Sequence, residues 1–365
     1  MKHLLVVSHP AVLPVNQHLY RELRARGWDV KLVVPARWHH EYGAIDVQPL
    51  PGMEGAFIRR QVLAAGKPQR HLYISPPSLL LRRLRPDVLF LEEESFSLCA
   101  AQWGRAATRL DIPFGVQAAE NLDRPLPFLV RRSRATVLAH ASFVAARSPA
   151  AAALARQWGA TGVTELVPHS VPPWKPQQRR PHETFTIGFA GRLVEAKGVT
   201  DLLTAFRLMK VPGRLVLVGD GPLARQVASE PGVELWAGYS HDNMPAAYAQ
   251  MDVLVLPSRR TPAWEEQFGR VLVEALSCGV PVIGSDTGEI PWVVKTTGGG
   301  WLTPTGDATA LAALLDQVAR DEVGRRVRAE AGCRAADDLF SLRAAADQLV
   351  ALLTEVTAHH RATAC

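Results

Sequence analysis

The sequence predicts an α/β protein made of two halves, each built on a doubly wound parallel sheet. Short, nearly continuous apolar runs alternate with amphipathic stretches along the chain, as in HLLVVS (3–8) and DVLFLE (87–92). Such strands are buried on both faces, which is typical of parallel sheets covered by helices. The alternation stops at a proline-rich, charged segment, 171–183, and then restarts.

The first domain is predicted to span residues 1–172. Its stretch 17–27 has helical spacing and ends at the helix-stopping Gly27. In chain order we expect strands at 3–8, 29–35, 87–92, 113–117 and 164–168, and helices at 17–27 and 97–109.

A hinge at 173–183 and a second domain at 184–338 are predicted to follow. In this domain we expect strands at 185–191, 214–219, 233–238, 252–257 and 281–285, a helix near 198–209, and final helices over about 308–357. The segment 339–365 reads as a C-terminal helix that can pack back on the first domain. Two doubly wound domains imply a ligand-binding cleft at the carboxyl ends of their strands.

Composition favours a globular protein outside the membrane. The chain has 365 residues, of which 47% are apolar and 21% charged, and no apolar run reaches the roughly 18 residues of a membrane span. The start, MKHLLVVSHPAV, lacks a signal-peptide cleavage pattern and reads as a buried strand. Four scattered cysteines without a CxxC predict neither a zinc site nor a disulfide framework, so we expect a cytoplasmic protein.

The charge is unevenly distributed between the two halves. Residues 1–172 hold 21 Lys and Arg against 13 Asp and Glu, whereas residues 173–365 hold 20 against 22. The basic half can attract an anionic membrane surface or a phosphorylated substrate. A surface charged only for solubility is the alternative. We expect no nucleic-acid partner, because no strand pair combines aromatic and basic residues.

A first candidate anion site is FAGRLVEAKG, 189–198, which follows a strand and opens a helix. Gly191 lets a ligand approach the backbone, and Arg192 and Lys197 can flank a diphosphate at the helix N-terminus. The alternative is a surface turn with two solvated cations.

A second candidate site is EEQFGRVLVEALSCGVP, 265–281. Phe268 and Gly269 precede a helix of about 270–278, whose first N–H groups can bind an anion. Glu274 lies on that helix and Glu266 eight residues earlier, a spacing of roughly 12 Å if the whole segment is helical. Each carboxylate can accept two hydroxyl protons, so the pair can hold the two sugars flanking a diphosphate. The alternative is a capped helix with solvated acids.

Several motifs together resemble the retaining GT-B glycosyltransferases of family 4. GRLVEAKG, LVGDGPL (217–223) and EQFGRVLVEALSCGVPVIGSDTGEIP (266–291) carry the resemblance over about 185–320. In the first half, SHPAVLPVNQHLYREL (8–23), LEEESFSL (91–98) and AAENLDRPLPF (118–128) resemble a bacterial subset of that family. The resemblance implies the GT-B fold, in which two Rossmann-like domains face each other across a cleft.

The resemblance also implies roles for individual residues. Arg192 and Lys197 match the cations that bind the donor diphosphate, Glu266 matches the acid that holds the donor sugar, and Glu274 matches the acid that holds the ribose. The remaining donor-binding positions that it implies are Gly191, Gly219, Phe268, Gly269, Arg270 and Val271, with Tyr239 as a candidate near the nucleobase.

Two departures from the family pattern lie in the first half. The family's glycine-rich loop is replaced by SHPAVLPVN, where His9 and Asn16 are our candidates for polar contacts with the acceptor. The stretch GVQAAENLD has no histidine where many members have one. Glu120 or Asn121 occupies that region; we favour Asn121, which can donate to a hydroxyl but cannot act as a base.

Two charged runs of the first half remain open in role. Glu93, within Glu92–Glu94, is an acceptor-side candidate, and a solvated strand end is the alternative. Arg131, Arg132 and Arg134 can face anionic lipid or simply solvent. We assign no role to any tryptophan.

The resemblance implies a hexosyltransferase that retains anomeric configuration. It takes a hexose-type sugar from a nucleotide-diphosphate sugar to a hydroxyl acceptor, in cell-surface polysaccharide, glycolipid or glycosylated-metabolite assembly, with peripheral association at the cytoplasmic membrane face left open. Glu266, Arg192, Lys197 and Asn121 are the catalytic candidates. We expect no cofactor and no metal, because no Asp-x-Asp occurs. The alternative is a degenerate GT-B subunit that binds a partner transferase or a nucleotide-sugar without turnover.

Overall fold

The computed structural model describes residues 1–40, 43–174, 177 and 184–363. The chain divides into two compact units. Unit 1 combines residues 1–172 with a helix that begins at Leu342, and unit 2 spans residues 173–341. Most of the predicted hinge, at 175–176 and 178–183, lies outside the described residues.

Unit 1 is built around a seven-stranded parallel sheet. Seven of the described strands of unit 1 form this sheet, and the other four form two separate pairs, β3 with β4 and β6 with β7. The strands of unit 1 are β1 (Lys2–Val7), β2 (Trp28–Pro35), β3 (Arg37–His40), β4 (Gly43–Asp46), β5 (Phe57–Arg60), β6 (Val62–Leu63), β7 (Leu72–Tyr73), β8 (Val88–Glu94), β9 (Phe114–Ala118), β10 (Phe143–Ala146) and β11 (Val163–Leu166). Its helices are α1 (His18–Ala25), α2 (Pro77–Leu84), α3 (Leu98–Arg109), α4 (Phe128–His140), α5 (Pro149–Gln157) and, from the far end of the chain, α13 (Leu342–Thr363).

The strand order of unit 1 is β11-β10-β9-β8-β1-β2-β5, and every pairing in it is parallel. The order reverses between β1 and β8, which pair with each other. In open α/β sheets, ligands bind outside the carboxyl ends of the strands at this point of reversal. A site in unit 1 is therefore expected at the residues that follow β1 and at the end of β8.

Helix α13 forms part of the core of unit 1. Its apolar side chains join the cluster that also contains the inward side chains of β1, β2 and α1. The members from α13 include Leu349, Leu352, Leu353 and Val356, which are all buried. The helix packs against α1 and against three strands of the sheet, β8, β10 and β11.

Unit 2 contains a six-stranded parallel sheet in the order β14-β13-β12-β15-β16-β17. Its strands are β12 (Phe185–Ala190), β13 (Gly213–Val218), β14 (Val233–Trp236), β15 (Val253–Leu256), β16 (Val282–Ser285) and β17 (Gly300–Thr303). Its helices are α6 (Val199–Leu208), α7 (Ala224–Ala228), α8 (Met244–Tyr248), α9 (Arg270–Ser277), α10 (Ile290–Thr297), α11 (Ala308–Arg320) and α12 (Glu322–Phe340). Counted within the unit, this is the strand order 3-2-1-4-5-6 of dinucleotide-binding folds, and it reverses between β12 and β15.

Local sequence accounts for where several helices begin. The side chains of Ser97, Ser148, Asp307 and Asp321 each accept a hydrogen bond from a backbone N–H of the first helical turn. Such caps satisfy donors that the helix itself leaves open.

The predicted α/β class with two doubly wound parallel sheets is confirmed. None of the described helices is both long and apolar enough to cross a membrane.

Candidate functional site

The site in unit 2 is centred on an ion pair where the strand order reverses. Lys197 follows β12 and Glu266 follows β15, and the Lys197 Nζ lies 2.6 Å from Glu266 Oε2. The hydroxyl of Ser258 donates to the same carboxylate oxygen at 3.0 Å. Glu266 is buried, whereas 22% of the Lys197 side chain remains exposed. The ammonium is thus held at a fixed position but stays accessible to an anionic ligand.

Trp264 is a member of this site that the sequence did not reveal. The Lys197 ammonium lies 5.0 Å from the centroid of the Trp264 ring, within the range of a cation–π interaction. The loop carrying Trp264 closes on Thr261, whose N–H donates to the Trp264 carbonyl at 2.8 Å. The backbone carbonyl of Glu266 accepts from the N–H of Glu289 at 3.0 Å. Lys197 is therefore held between an aromatic ring and a carboxylate that are both fixed by neighbouring backbone.

Gly191 and Gly219 lie side by side at the ends of β12 and β13. The N–H of Gly191 donates to the Val218 carbonyl at 3.0 Å. A Cβ on Gly219, whose φ is +149°, would overlap the carbonyl oxygen of Gly191, so the close backbone approach requires glycine there. Arg192 directly follows Gly191 and is exposed. The structure thus places Gly191, Arg192 and Gly219 together at one edge of the sheet.

The start of helix α9 provides backbone donors beside the ion pair. Gly269 precedes the helix with φ +77°, and among the described residues no side chain caps it. The N–H groups of Arg270 and Val271 can therefore serve an anion, which the helix dipole also favours. The ring of Phe268 is buried and packs against other aromatic rings of unit 2, so only its backbone can face a ligand. Glu266 lies outside the helix, and the segment 265–269 is not helical.

Glu274 lies one turn into α9 and is buried among three side-chain donors. Its Oε1 lies 3.0 Å from Arg270 Nε and 3.1 Å from His241 Nε2. Its Oε2 accepts the hydroxyl of Tyr248 at 2.8 Å. Burial, followed by the negative charge of Glu274, raises the pKa of Tyr248, so the phenol remains a donor. Each carboxylate oxygen has two lone pairs, and Oε2 uses one of them for Tyr248. It can therefore accept one further hydroxyl proton.

Tyr239, the candidate for the nucleobase, and His241 lie two residues apart and have different ring contacts. The Tyr239 ring stacks on Trp236 at 5.7 Å, whereas His241, two residues further along, reaches the Glu274 carboxylate. The Trp174 ring packs on His241 at 4.9 Å. His241 and Trp174 were not predicted, because neither belongs to a motif in the sequence.

A second cluster of polar side chains lies in unit 1, where β1 and β8 end. The backbone N–H of His9 donates to Glu93 Oε1 at 3.0 Å, and His9 Nδ1 lies 2.8 Å from both carboxylate oxygens. The Glu93 side chain is 1% exposed, whereas the His9 side chain is 18% exposed. His9 is therefore the member of the pair that a ligand can reach.

His71 is a second imidazole on the same carboxylate. Its Nδ1 donates to the Pro68 carbonyl at 2.9 Å, and its Nε2 lies 3.5 Å from Glu93 Oε1. Burial alone would lower the pKa of His71, but the contact with Glu93 and its negative charge raise it above the ordinary value. Burial would raise the pKa of Glu93, but the charge of His9 and the contacts with His71 hold it below the ordinary value. Both shifts favour an imidazolium–carboxylate pair inside unit 1.

The three consecutive glutamates that end β8 each have different partners. Glu92 accepts from the Ser8 hydroxyl at 2.6 Å and pairs with Arg147 at 3.0 Å. Glu94 accepts the N–H of Ala119 at 2.7 Å, and burial raises the pKa of Glu94 to about 7. A solvated strand end, the alternative considered from sequence, is wrong for Glu92 and Glu93, since both are buried.

The other acceptor-side candidates have mainly structural contacts. Asn16 donates from Nδ2 to the Pro10 carbonyl at 2.9 Å and so braces the loop after β1. Glu120 is buried and pairs with Arg124. Asn121 is half-buried next to it. The structure therefore brings His9 and Glu93 together and does not show Asn16 or Asn121 joined to them.

One group of described side chains is close enough to share a metal ion: His9, His71 and Glu93, whose ligand atoms lie within 4.8 Å of one another. Two imidazoles and a carboxylate are a ligand set that Zn²⁺ accepts. The 2.8 Å separations between His9 and Glu93 are also those of a direct charge-assisted hydrogen bond. The hydrogen-bonded pair accounts for the observed contacts without an ion.

Two units, each built on a doubly wound parallel sheet, are the architecture of the GT-B class of glycosyltransferase folds. A sucrose-phosphate synthase from Thermosynechococcus elongatus matches with a TM-score of 0.75 at 19% identity, covering 98% of this chain and 100% of that one. HepE from Anabaena in complex with UDP matches with a TM-score of 0.74 at 18% identity, covering 97% and 100%. At these identities the likeness establishes the fold.

Two protein families match the sequence of this chain and place it more narrowly within the GT-B class. The family described as "Glycosyl transferases group 1" matches residues 170–335, and the "Glycosyl transferase 4-like domain" matches residues 12–169. The chain belongs to the family 4 glycosyltransferases, as the motifs predicted.

Curated relatives match over part of their length. N-acetyl-alpha-D-glucosaminyl L-malate synthase of Bacillus anthracis is 36% identical over 148 residues, which are 37% of this chain and 37% of that protein. D-inositol 3-phosphate glycosyltransferase of Saccharomonospora viridis is 30% identical over 204 residues, which are 50% and 46%. The chain thus spans less than half the length of these two relatives.

Proposed function

We propose that this protein is a retaining glycosyltransferase that moves a hexose-type sugar from a nucleotide-diphosphate sugar to a hydroxyl acceptor. The observation that carries the proposal is the Lys197–Glu266 pair, whose atoms lie 2.6 Å apart and whose Glu266 shortly precedes the start of α9, which no described side chain caps. A diphosphate is the ligand class that suits an accessible ammonium and free helix N–H groups together.

In this proposal each group of the unit 2 site binds one part of the donor. Lys197, Arg192 and the N–H groups of Arg270 and Val271 bind the diphosphate and stabilise the charge that grows on it as it leaves. Glu266 accepts hydrogen bonds from the sugar, and Glu274 accepts one from the ribose through Oε2. The bound donor is thereby fixed at three points, which orients its anomeric carbon.

The transfer step needs no covalent bond to the enzyme. The bond between the anomeric carbon and the phosphate oxygen breaks while a bond to the acceptor oxygen forms on the same face of the sugar. The acceptor proton leaves on the departing phosphate, so the products are the glycoside and the nucleotide diphosphate. Lys197 and Arg192 supply the positive charge for this step, and we therefore propose that no metal ion is required.

Unit 1 is proposed to bind the acceptor. His9 carries this role, because it is the accessible residue of a cluster that is otherwise buried, and Glu93 fixes its ring. Acceptors of the kinds named for the relatives, L-malate and inositol 3-phosphate, are the first to test, alongside glycan acceptors. We further propose a cytoplasmic protein whose basic unit 1 associates with an anionic membrane face.

The first test is a thermal-shift panel with UDP-, GDP-, ADP-, TDP- and CMP-sugars, UDP-glucose and UDP-N-acetylglucosamine included. A ligand that binds only the folded state raises the melting temperature by mass action. We expect a shift with one diphosphate nucleotide class and its loss in Glu274→Ala. Glu234→Ala is the matched control, because Glu234 is a surface acid of unit 2, paired with Arg214. If none of the nucleotides gives a shift, the result would support the alternative of a degenerate subunit that binds a partner transferase.

The second test follows the product. The nucleotide class that gives a shift is incubated with each acceptor, and the anomeric configuration of any glycoside is read by NMR. A product of the same configuration as the donor is expected. An inverted product would contradict the retaining mechanism while leaving transfer itself intact.

A further inference from the structure

Helices α2, α3 and α4 of unit 1 form a surface that contains arginine but no carboxylate. α3 packs against both of the other helices, and the sequences PSLLLRRL, LCAAQWGRAATR and FLVRRSRATVLAH contain no Asp or Glu. The exposed arginines are Arg82, Arg83, Arg105, Arg109, Arg131 and Arg132. Within the described part of the chain none of the six forms an ion pair. We name the exposed face of these three helices, together with the neighbouring Ile74, the α2–α4 surface.

The same surface also exposes large apolar side chains. Leu129 is 77% exposed, Leu79 is 65% and Phe128 is 63%. Together with Ile74 and Leu98, these make five of the eleven large exposed hydrophobic residues found among the described residues. Isolated exposed apolar residues are ordinary, but a group of them rimmed by charge marks an interaction site.

A groove runs through the α2–α4 surface. Its volume is about 1070 Å³. Its apolar lining includes Ile74, Leu98 and Leu129, and its cationic lining comprises Arg82, Arg105, Arg109 and Arg132. The partner must therefore offer both negative charge and apolar surface.

Charge and shape select among the possible partners. A second copy of this chain would set six unpaired arginines against six others, which like-charge repulsion opposes. A nucleic acid would match the charge but would leave Leu129, Leu79 and Phe128 without apolar contacts. An anionic phospholipid bilayer offers phosphate groups to the arginines and acyl chains to the protruding apolar side chains.

We propose that the α2–α4 surface docks unit 1 on an anionic phospholipid bilayer. The inference specifies the membrane association put forward under the proposed function and names the surface responsible. Phe128 and Leu129 at the start of α4 enter the acyl boundary, while the arginines stay at the level of the phosphates. Arg131 supports this arrangement, since its guanidinium lies 5.9 Å from the centroid of the Phe128 ring, with its charge free to face the headgroups.

The test is co-sedimentation of the full chain with vesicles, phosphatidylcholine alone compared with phosphatidylcholine containing phosphatidylglycerol. We expect binding to the anionic vesicles only, weakening as salt is added. Arg105→Glu with Arg132→Glu should weaken binding roughly fivefold or more for each arginine. Leu129→Asp should weaken it roughly tenfold. Arg105 and Arg132 are exposed and Leu129 is 77% exposed, so these substitutions should preserve folding.

The matched control is Arg326→Glu with Val327→Asp. Both residues are exposed on α12 of unit 2, and this variant should bind anionic vesicles as the unmodified protein does. Equal binding to both vesicle types, no binding to either, or full binding by both test variants would each overturn the proposal. The nucleotide-sugar thermal shift is measured on the same preparations. If the protein still shows a thermal shift with nucleotide-sugar but does not sediment with vesicles, the proposed membrane surface is refuted and the proposed transferase function is not.

Discussion

The Nζ of Lys197 and the Oε2 of Glu266 lie 2.6 Å apart at the point where the strand order of unit 2 reverses. The two residues are 69 positions apart in sequence, and each reaches this point from the loop after its own strand. Each charge compensates the other, so loss of either residue removes the opposite charge next to its partner. The pair therefore links the stability of the site to its proposed chemistry.

Lys197→Ala should lower kcat/KM for sugar transfer by roughly 10²–10³, the usual effect of removing one charge-stabilising group. The measurement is initial rate against donor concentration. Lys295→Ala, at an exposed lysine of the same unit, serves as the control and should retain full activity. If Lys197→Ala left kcat/KM unchanged, the Lys197 ammonium would have no role in the transfer step.

Trp264→Ala should raise the KM for the donor severalfold, because the ring face that limits the movement of Lys197 is lost; a cation–π contact of this kind is worth about 0.5–2 kcal/mol. Trp264→Phe keeps a ring and should recover most of the loss. Trp301→Ala is the control, since that ring interacts with Arg328 at 4.6 Å, away from the ion pair. If Trp264→Ala and Trp301→Ala behave alike, the contact with Lys197 has no functional role.

Chelation should leave transfer unchanged. In our proposal Lys197 and Arg192 supply the charge that a divalent ion supplies elsewhere. The assay compares rates with and without excess EDTA, followed by addition of Mg²⁺, Mn²⁺ or Zn²⁺. A rate that disappears with EDTA and returns with one metal would contradict the metal-free mechanism and direct attention to His9, His71 and Glu93.

His71→Asn should destabilise the protein by about 3 kcal/mol near neutral pH, because Glu93 loses a buried charged partner. The pKa of His71 is raised by Glu93, so this stabilisation is fully present below the ordinary histidine value of about 6.5 and is lost as pH rises through the folded-state pKa. Melting temperatures of both proteins across pH should therefore converge on the alkaline side. His140→Asn, at an exposed histidine of α4 that bonds a backbone carbonyl in the same way, should show no such convergence.

Glu94→Gln should become more stable relative to the unmodified protein as pH rises. The pKa of Glu94 is about 7 against an ordinary 4.5, so the folded state holds a proton that the unfolded state has already released. Glu94 therefore lowers stability progressively from pH 4.5 to about 7, and the glutamine variant lacks that loss. Melting temperatures at intervals across this range test the prediction. Parallel curves for the two proteins would show that Glu94 does not titrate there.

Strand positions were predictable from sequence because burial on both faces leaves continuous apolar runs. The run predicted at 185–191 is the strand Phe185–Ala190, and the one at 252–257 is the fully buried strand Val253–Leu256. The strands Phe143–Ala146 and Gly300–Thr303 were missed. Their sequences, FVAA and GWLT, are short and rich in small residues, so their strand character comes from the neighbouring strands rather than from local preference.

The site was predictable only where its residues belong to one local motif. Arg192 and Lys197 follow a strand at a glycine turn, and Glu266 and Glu274 flank a helix start, so the sequence places them. Their roles in binding a donor stay predictions. The contacts of His71, Trp264 and His241 arise from chain segments that meet only in the folded protein, so the spacing of residues in the sequence does not predict them.

Helix α13 imposes an order of events on biogenesis. The polypeptide that forms the sheet of unit 1 is made first, but the side chains that close its core, Leu349 and Leu353 among them, are made only after all of unit 2. We therefore expect nascent unit 1 to expose apolar surface until α13 has been synthesised. We expect a chain that stops early in unit 2 to lack this part of the unit 1 core and therefore to hold a less stable unit 1 than the full chain does.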